Sequence, residues 1–246
     1  REITQEALEM VQNGSALSTD AATIVYNPTW NKGVVGIVAS RLVEAFYKPT
    51  IVLTKSNGFI TGSARSVAGF DLYEAIESCA DLLENFGGHV YAAGLTLKEG
   101  NLEEFVSRID KFIAGKITEE MLTPMTDIDA KLEFSQITPK FFRLLKQFQP
   151  FGPGNTNPVF LTENVSDGGN GRKVGAGGVH MKLDLIDEKQ PFHQIPAIAF
   201  NMAEFYDYIK AGNPFDICYS IVENYYRGNT TLQLRIKDIK ERDEFI

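Results

Sequence analysis

The residues of this chain best suited to chemistry on an anion lie in Phe86-Gly87-Gly88-His89-Val90-Tyr91-Ala92-Ala93-Gly94. Adjacent glycines let the backbone take dihedrals closed to other residues and approach a ligand closely. Their N–H groups can then face an anion together with the imidazole that follows. Ala92, Ala93 and Gly94 keep the next segment thin, so a phosphate cradle here could pack tightly on what lies behind it. A Gly-Gly-His run is also what an ordinary loop ahead of a helix looks like, and short glycine matches recur by chance. Ser63 and Arg65 strengthen the phosphate reading, because they close a predicted strand two residues apart and so share one face. A forked guanidinium beside a hydroxyl suits phosphate oxygens. For His89 a hydrogen bond to phosphate comes first and general-acid work second. No second His, Asp or Cys stands at ligand spacing beside it, so no metal site is expected there.

The elements that must position these residues follow from period and punctuation. A helix is predicted over 2–12, ended by Asn13-Gly14, then a strand over 22–26, ended by Asn27-Pro28. A helix over 36–47 stops at Lys48-Pro49, and 50–53, apolar on both faces, reads as a central strand. Asn57-Gly58 is the strongest tight-turn signal, so 59–63 returns as a hairpin partner and delivers Ser63 and Arg65 to a sheet end. A helix over 71–85 is expected to run directly into the Gly-Gly-His segment, with a turn at Gly94, a strand over 95–97 and a helix over 102–114. Strands alternating with helices indicate an α/β domain, a sheet flanked by helices.

The pattern breaks around 119–124. Beyond it 128–134 alternates, Thr138-Pro139 opens a helix through 148, and Phe151-Gly152-Pro153-Gly154 forces a rigid turn. The remainder is strand-rich, over 159–161, 179–185, 195–200, 215–223 and 231–239, with one helical interruption before Lys210. That makes a mainly β domain resembling an OB-fold, a small barrel used to hold single strands. Such binding needs aromatic platforms beside cations. Tyr225, Tyr226 and Arg227 in a predicted hairpin, Arg235 on the returning strand, and Arg172 and Lys173 before residue 179 are the candidates. Tyrosines in paired strands are equally ordinary sheet packing. His180 and His193 are isolated and read as structural.

A length of 246 residues suffices for two cores of ordinary size. The chain shows no long apolar run and no basic-then-apolar leader, so a cytoplasmic protein with no membrane role is expected. Cys79 and Cys218 fit no metal-ligand spacing and read as free thiols. A formal net charge of −8 points away from nucleic acid, whose non-specific binding comes from Lys and Arg on phosphates. A cleft can nevertheless be basic while the outer faces are acidic.

Several motifs together carry a family resemblance. Gly62-Ser63-Ala64-Arg65-Ser66, the run from Trp30 to Leu42, and Tyr47-Lys48-Pro49-Thr50-Ile51-Val52 resemble the DHHA1 domain of the DHH phosphoesterases. Pro150-Phe151-Gly152-Pro153-Gly154-Asn155 followed by Pro158-Val159-Phe160 narrows the resemblance to the RecJ family of single-strand-specific 5′-to-3′ DNA exonucleases. It covers nearly the whole chain. What it implies is an arrangement of 1–19 as the end of an interdomain linker helix, 20–118 as the DHHA1 domain and 119–246 as the OB-fold-like domain. It also implies that Ser63, Arg65, Gly87, Gly88 and His89 hold substrate phosphates. The metal-binding aspartates and Asp-His-His signature of the family belong to an N-terminal domain that nothing here matches, so Mg or Mn ions are expected there and no cofactor in these residues. The implied partners are single-stranded DNA and that DHH domain, and this part alone is expected to be inactive. Asn31 departs from the family, in which His usually follows the Trp. Trp30 reads either as a base-stacking platform or as core, and Val34 to Leu42 as a helix with no chemistry. Two other classes fit less of the chain: a DHH phosphoesterase for short oligonucleotides or cyclic dinucleotides, and a non-enzymatic module like the DHHA1 parts of alanyl-tRNA synthetases.

Overall fold

The computed structural model describes residues 2–17, 21–152, 154–187, 190–226 and 228–242. The chain divides into two compact units, Arg1–Pro124 and Met125–Ile246. No helix among the described residues is long and apolar enough to cross a membrane.

The first unit runs α1 (Glu2–Gln12), β1 (Thr23–Tyr26), α2 (Val35–Phe46), β2 (Thr50–Ser56), β3 (Phe59–Arg65), α3 (Leu72–Glu77), β4 (Leu83–His89), β5 (Ala92–Leu97) and α4 (Leu102–Lys116). Its sheet has the order β1-β2-β3-β5-β4, with β1 and β2 parallel and the other pairs antiparallel. Asn57 and Gly58 both take positive φ, 52° and 79°, as a tight hairpin demands, and this sets Arg65 opposite Thr50 at the far end. One face of the sheet carries Ile24, Ile51, Ile60, Ala64, Leu95 and Leu97, covered by Leu72, Ile76, Phe105 and Ile109 from α3 and α4. On the other face α1 and α2 bury Val25 and Val52 beneath Ala7, Val35, Val38 and Leu42. The outer strands carry on that second face Thr61, Ser63, Arg65, Ala92, Gly94 and Thr96, all exposed or half-buried.

The helix expected over 71–85 stops at Glu77. Asp71 caps it by accepting from the Glu74 N–H at 3.0 Å, and a single 3₁₀ turn, Ala80–Leu82, leads into β4. Cys79 and Leu82 still reach the same core, which is why helical spacing fitted them. Phe86 to His89 is therefore strand, and the reversal falls at Val90-Tyr91, not at Gly94.

The second unit runs β6 (Ala130–Lys131), α5 (Pro139–Leu145), β7 (Phe160–Asp167), β8 (Arg172–Val174), β9 (His180–Asp187), β10 (Gln190–Ala199), α6 (Tyr206–Lys210), β11 (Phe215–Tyr226) and β12 (Asn229–Glu241). Strands β7-β11-β12-β10-β9 pair in that order and β9 returns to β7, closing a five-stranded barrel in which only β10 and β12 are parallel. This is OB-fold connectivity, with the helix between the third and fourth barrel strands. The alternation Met181, Leu183, Leu185 on β9 and Ile195, Ala197, Ala199 on β10 fills the interior. Tyr219 is wholly buried, its hydroxyl 2.8 Å from Thr162 Oγ1, which in turn donates to the Leu132 carbonyl at 2.8 Å. Burial pushes that phenol up to about 12. Thr138 caps α5 through the Phe141 N–H at 3.1 Å, with Pro139 at the first helical position. Asn155 then locks the following loop: its side-chain amide donates to the carbonyls of Phe148 and Pro150 at 2.8 and 3.0 Å. Pro153 lies outside the described residues.

Candidate nucleic-acid interface

Strand register assembles the phosphate candidates of the first unit. Arg65 on β3 faces Ala92 on β5, which faces His89 on β4; one step along, Ser63 faces Gly94, which faces Gly87. Register partners project from the same face, so these residues form two parallel rows across three strands. At ordinary strand spacing the backbones of Arg65 and His89 stand about 9.5 Å apart. Only the methyl of Ala92 separates them in the row, and beside it the floor is glycine. Arg65 Nη1 donates to Ser63 Oγ at 2.9 Å and to the Ala64 carbonyl at 2.7 Å, and no described carboxylate pairs with the guanidinium. The first turn of α2 rests against the same pair: a Cβ on Gly36 would lie 3.1 Å from Arg65 Nη2 and 3.2 Å from Ser63 Oγ. The N-terminal end of that helix adds a partial positive charge beside the guanidinium. His89 is exposed, at the edge strand of the sheet.

The glycines divide by role. Gly88 has φ +153°, and a Cβ there would sit 2.3 Å from the Ala92 carbonyl oxygen and 2.5 Å from Ala93 Cα, so strand pairing itself requires this glycine. That corrects its place in a ligand cradle: Gly88 faces the core side. Gly87 has no atom within 4 Å of an added Cβ, and Gly94 only the Gly62 carbonyl oxygen at 3.8 Å. Neither the backbone nor the packing forbids a side chain at these two positions. Their effect is a flat, open floor between Ser63 and the edge of the sheet.

In the second unit the register draws together cations that are far apart in sequence. Arg172 on β8 faces Lys182 on β9, Lys182 faces Ile198 on β10, Ile198 faces Arg235 on β12, and Arg235 faces Ser220 on β11. Their strand neighbours Met181, Ala197, Ala199, Leu234 and Ile236 fill the barrel, so this row lies on its outside. None of the three cations pairs with a described carboxylate. The Arg235 guanidinium lies 5.2 Å from the centroid of the Phe200 ring, which is 44% exposed and meets His180 edge-on at 5.2 Å. His180 Nδ1 accepts the Asn201 N–H at 3.0 Å. Lys173 stands 5.0 Å over the Tyr206 ring. Asp167 shapes the segment that delivers Arg172, accepting from the N–H groups of Gly169, Gly171 and Asp184 at 3.0, 2.8 and 3.1 Å. Tyr225 is 74% exposed in the hairpin between β11 and β12. Tyr226 pairs with Asn229 in that hairpin, while Arg227 lies outside the described residues.

Trp30 is not a stacking platform. It is 3% exposed, packs with α1 and α2, and donates from Nε1 to Glu6 Oε2 at 2.8 Å. Asn31 turns the chain into α2 by accepting the Gly33 N–H at 2.8 Å. Sequence reasoning missed Lys182 and Phe200. The alternation of His180, Lys182 and Asp184 with Met181, Leu183 and Leu185 is the signal that could have placed Lys182 on an outer face.

The donor set speaks on metals and nucleophiles. No group of three His, Cys, Asp or Glu gathers among the described residues, so these residues do not fit a divalent ion. Burial pushes the thiols of Cys79 and Cys218 up, away from nucleophilic character.

Known proteins share both units. Residues 19–115 match the DHHA1 domain and 128–238 the RecJ OB domain. The single-stranded-DNA-specific exonuclease RecJ of Bacillus subtilis is 37% identical over 240 residues, covering 96% of this chain and 30% of that protein. Two crystal structures of RecJ from Thermus thermophilus, in complex with Mg2+ and with Mn2+, superpose with TM-scores of 0.71 and 0.72 at 24% identity. They cover 98% of this chain and 36% and 35% of those. The chain thus spans about a third of the length of the relatives it matches.

Proposed function

Because the chain belongs to the RecJ family, as its DHHA1 and OB domains in that order, we propose that it supplies the phosphate-gripping and strand-guiding part of a 5′-to-3′ single-stranded-DNA exonuclease. The observation that carries this reading is the floor of Ala92, Gly94 and Gly87 with Arg65 and Ser63 on one side and His89 on the other. A sugar-phosphate chain can lie flat where no side chain rises, with its anionic oxygens against the guanidinium, the hydroxyl and the leading amides of α2. Imidazole N–H donation from His89 closes the opposite side.

The outer row Arg172, Lys182 and Arg235, with Phe200 stacked beside it, suits a single strand, whose phosphates meet the cations while a base lies on the exposed ring. Such a row resolves the conflict with the acidic composition: the charge of −8 belongs to the whole surface, and the row is locally basic. It also favours a long strand over a dinucleotide as substrate. Phosphodiester hydrolysis belongs to the family's DHH domain, where the divalent ions would supply an activated water. The described residues of this chain bind and orient the strand.

Fluorescence anisotropy with labelled oligonucleotides tests the reading. The chain is expected to bind 5′-phosphorylated single strands more tightly than their 5′-hydroxyl counterparts, duplex or structured tRNA, and to hydrolyse none of them in Mg or Mn. Equal affinity for tRNA and single strand would favour the non-enzymatic module. Nuclease activity of the chain alone would overturn the division of labour.

A further inference from the structure

The alternation over 128–134 outruns the strand it forms. Only Ala130 and Lys131 pair with β7, flanked by main-chain hydrogen bonds from the Asp129 N–H to the Val159 carbonyl and from the Leu132 N–H to the Leu161 carbonyl, both at 2.9 Å. β6 stands at the end of its sheet. A strand paired on one side turns every second N–H and C=O outward, so 129–132 offers an open main-chain edge on which Ala130 and Lys131 are both exposed. A lysine at such an edge ordinarily wards off a further strand. Here Lys131 Nζ is drawn over the ladder to Glu163 Oε1 at 2.9 Å, toward β7 and away from the edge.

The two faces of this edge differ in chemistry. Ala130 is the register partner of Phe160, whose ring meets that of Phe141 on α5, and on that side lies a hollow of about 520 Å³ walled by Leu132, Leu145 and Phe148 as well. Phe148 is 64% exposed, a large ring left uncovered beside an apolar wall. Lys131 and its partner Leu161 look the other way, over a hollow of about 570 Å³ lined by Glu133, Glu163 and Asp187. Three carboxylates against one ammonium leave that side negative.

The side chains of an added strand alternate between the same two faces. An occupant that suits both carries apolar residues at every second position, packed on Leu145 and Phe148, with cationic residues between them whose long stems carry the charge to Glu133 and Glu163. Nucleic acid suits neither, since its phosphates meet carboxylates and it has no amide edge to pair. We infer that the β6 edge is a docking site for a partner protein, which adds to it an extended segment of apolar residues alternating with Lys or Arg. Main-chain pairing supplies the affinity and the two hollows select the sequence. The site uses none of the residues assigned to DNA, so it stands or falls apart from the single-strand reading.

The test titrates a blocked octapeptide of Val-Lys repeats against the 246-residue chain. Its controls are a Val-Glu repeat, a block peptide with all valines before all lysines, and the Val-Lys repeat N-methylated along one edge. Each control should bind at least about tenfold more weakly, and Phe148→Ala and Glu133→Gln/Glu163→Gln should each cost the Val-Lys repeat about tenfold. Melting temperature should not change, since all three side chains are exposed. Amide exchange at Ala130 or Lys131 should slow in the complex. A block peptide that binds as tightly as the repeat would reduce the effect to a cation on an acidic chain and overturn the site. Equal affinity for the Val-Glu repeat, unchanged binding in both variants, or no binding of the Val-Lys repeat would overturn it too. A concentration-dependent doubling of mass that Phe148→Ala abolishes would assign the edge to a second copy of this chain instead.

Discussion

Gly87 faces Gly94 across the β4–β5 ladder, and both positions have room for a methyl group that neither carries. Gly88, one residue along, has no such room. The contrast separates function from folding at three neighbouring glycines. Gly94→Ala and Gly87→Ala should leave stability within about 0.5 kcal/mol, as surface substitutions do. Both should weaken binding of a 5′-phosphorylated single strand by raising the floor. Gly88→Ala should instead destabilise the fold by several kcal/mol, because its Cβ would meet backbone at 2.3 Å. Urea melts and anisotropy titrations on the same three variants check this. Full affinity in Gly94→Ala would mean that nothing lies on the floor.

Arg65→Ala should weaken binding of the same ligand by roughly 1.5–3 kcal/mol, the scale of a hydrogen bond to a charged group. Arg65→Lys should recover only part, since an ammonium lacks the fork. Whether Arg65 and His89 share one anion is answered by a double-mutant cycle. Two strand widths separate their backbones, so they could hold one phosphate between them or successive phosphates. A coupling energy above about 0.5 kcal/mol indicates a shared anion, and additivity indicates separate ones.

The outer row of the barrel should be visible in salt. Each cation on a single-strand phosphate contributes about 0.7 to the slope of log affinity against log salt, so Arg172, Lys182 and Arg235 together contribute about 2. Replacing any one by Ala should flatten the slope by about 0.7. Arg235→Ala should cost more affinity than Lys182→Ala, because it also removes the guanidinium that backs Phe200. An unchanged slope in all three variants would place the strand elsewhere.

How much of this was legible before the fold was known depends on sequence separation. The hairpin at Asn57-Gly58 was readable because its signal is local, and so was the pairing of Ser63 with Arg65 on one face. The row Arg65, Ala92, His89 was not, since it exists only through a ladder joining β3 to β5 and β5 to β4. Helical spacing misled at residues 79–86 because a 3₁₀ turn and an edge strand bury Cys79, Leu82 and Phe86 against the same core that a helix would have used. Trp30 was ambiguous for want of its partner Glu6, which lies 24 residues earlier in α1. Arg172 and Arg235 were readable as cations, but nothing in their neighbourhoods shows Lys182 between them.

Alkaline pH should weaken the barrel through Tyr219. Its phenol rises from the ordinary 10.0 to about 12 in the fold because burial disfavours the phenolate, while the unfolded chain keeps the ordinary value. Below pH 10 both states hold the proton and stability is at its full value. Between about pH 10 and 12 the unfolded state loses the proton first, binds fewer protons than the fold, and is favoured as pH rises. A rise of that size corresponds to roughly 2–3 kcal/mol lost across the window. Tyr219→Phe should give up about 1 kcal/mol at neutral pH, with its hydrogen bond to Thr162, yet lack this part of the alkaline loss. Thr162 keeps its bond to the Leu132 carbonyl in that variant, so no buried hydroxyl is orphaned. Urea melts at pH 9 and pH 11 on both proteins decide the matter: parallel losses would place the alkaline sensitivity in other groups, and a smaller loss in the variant assigns it to the buried phenol.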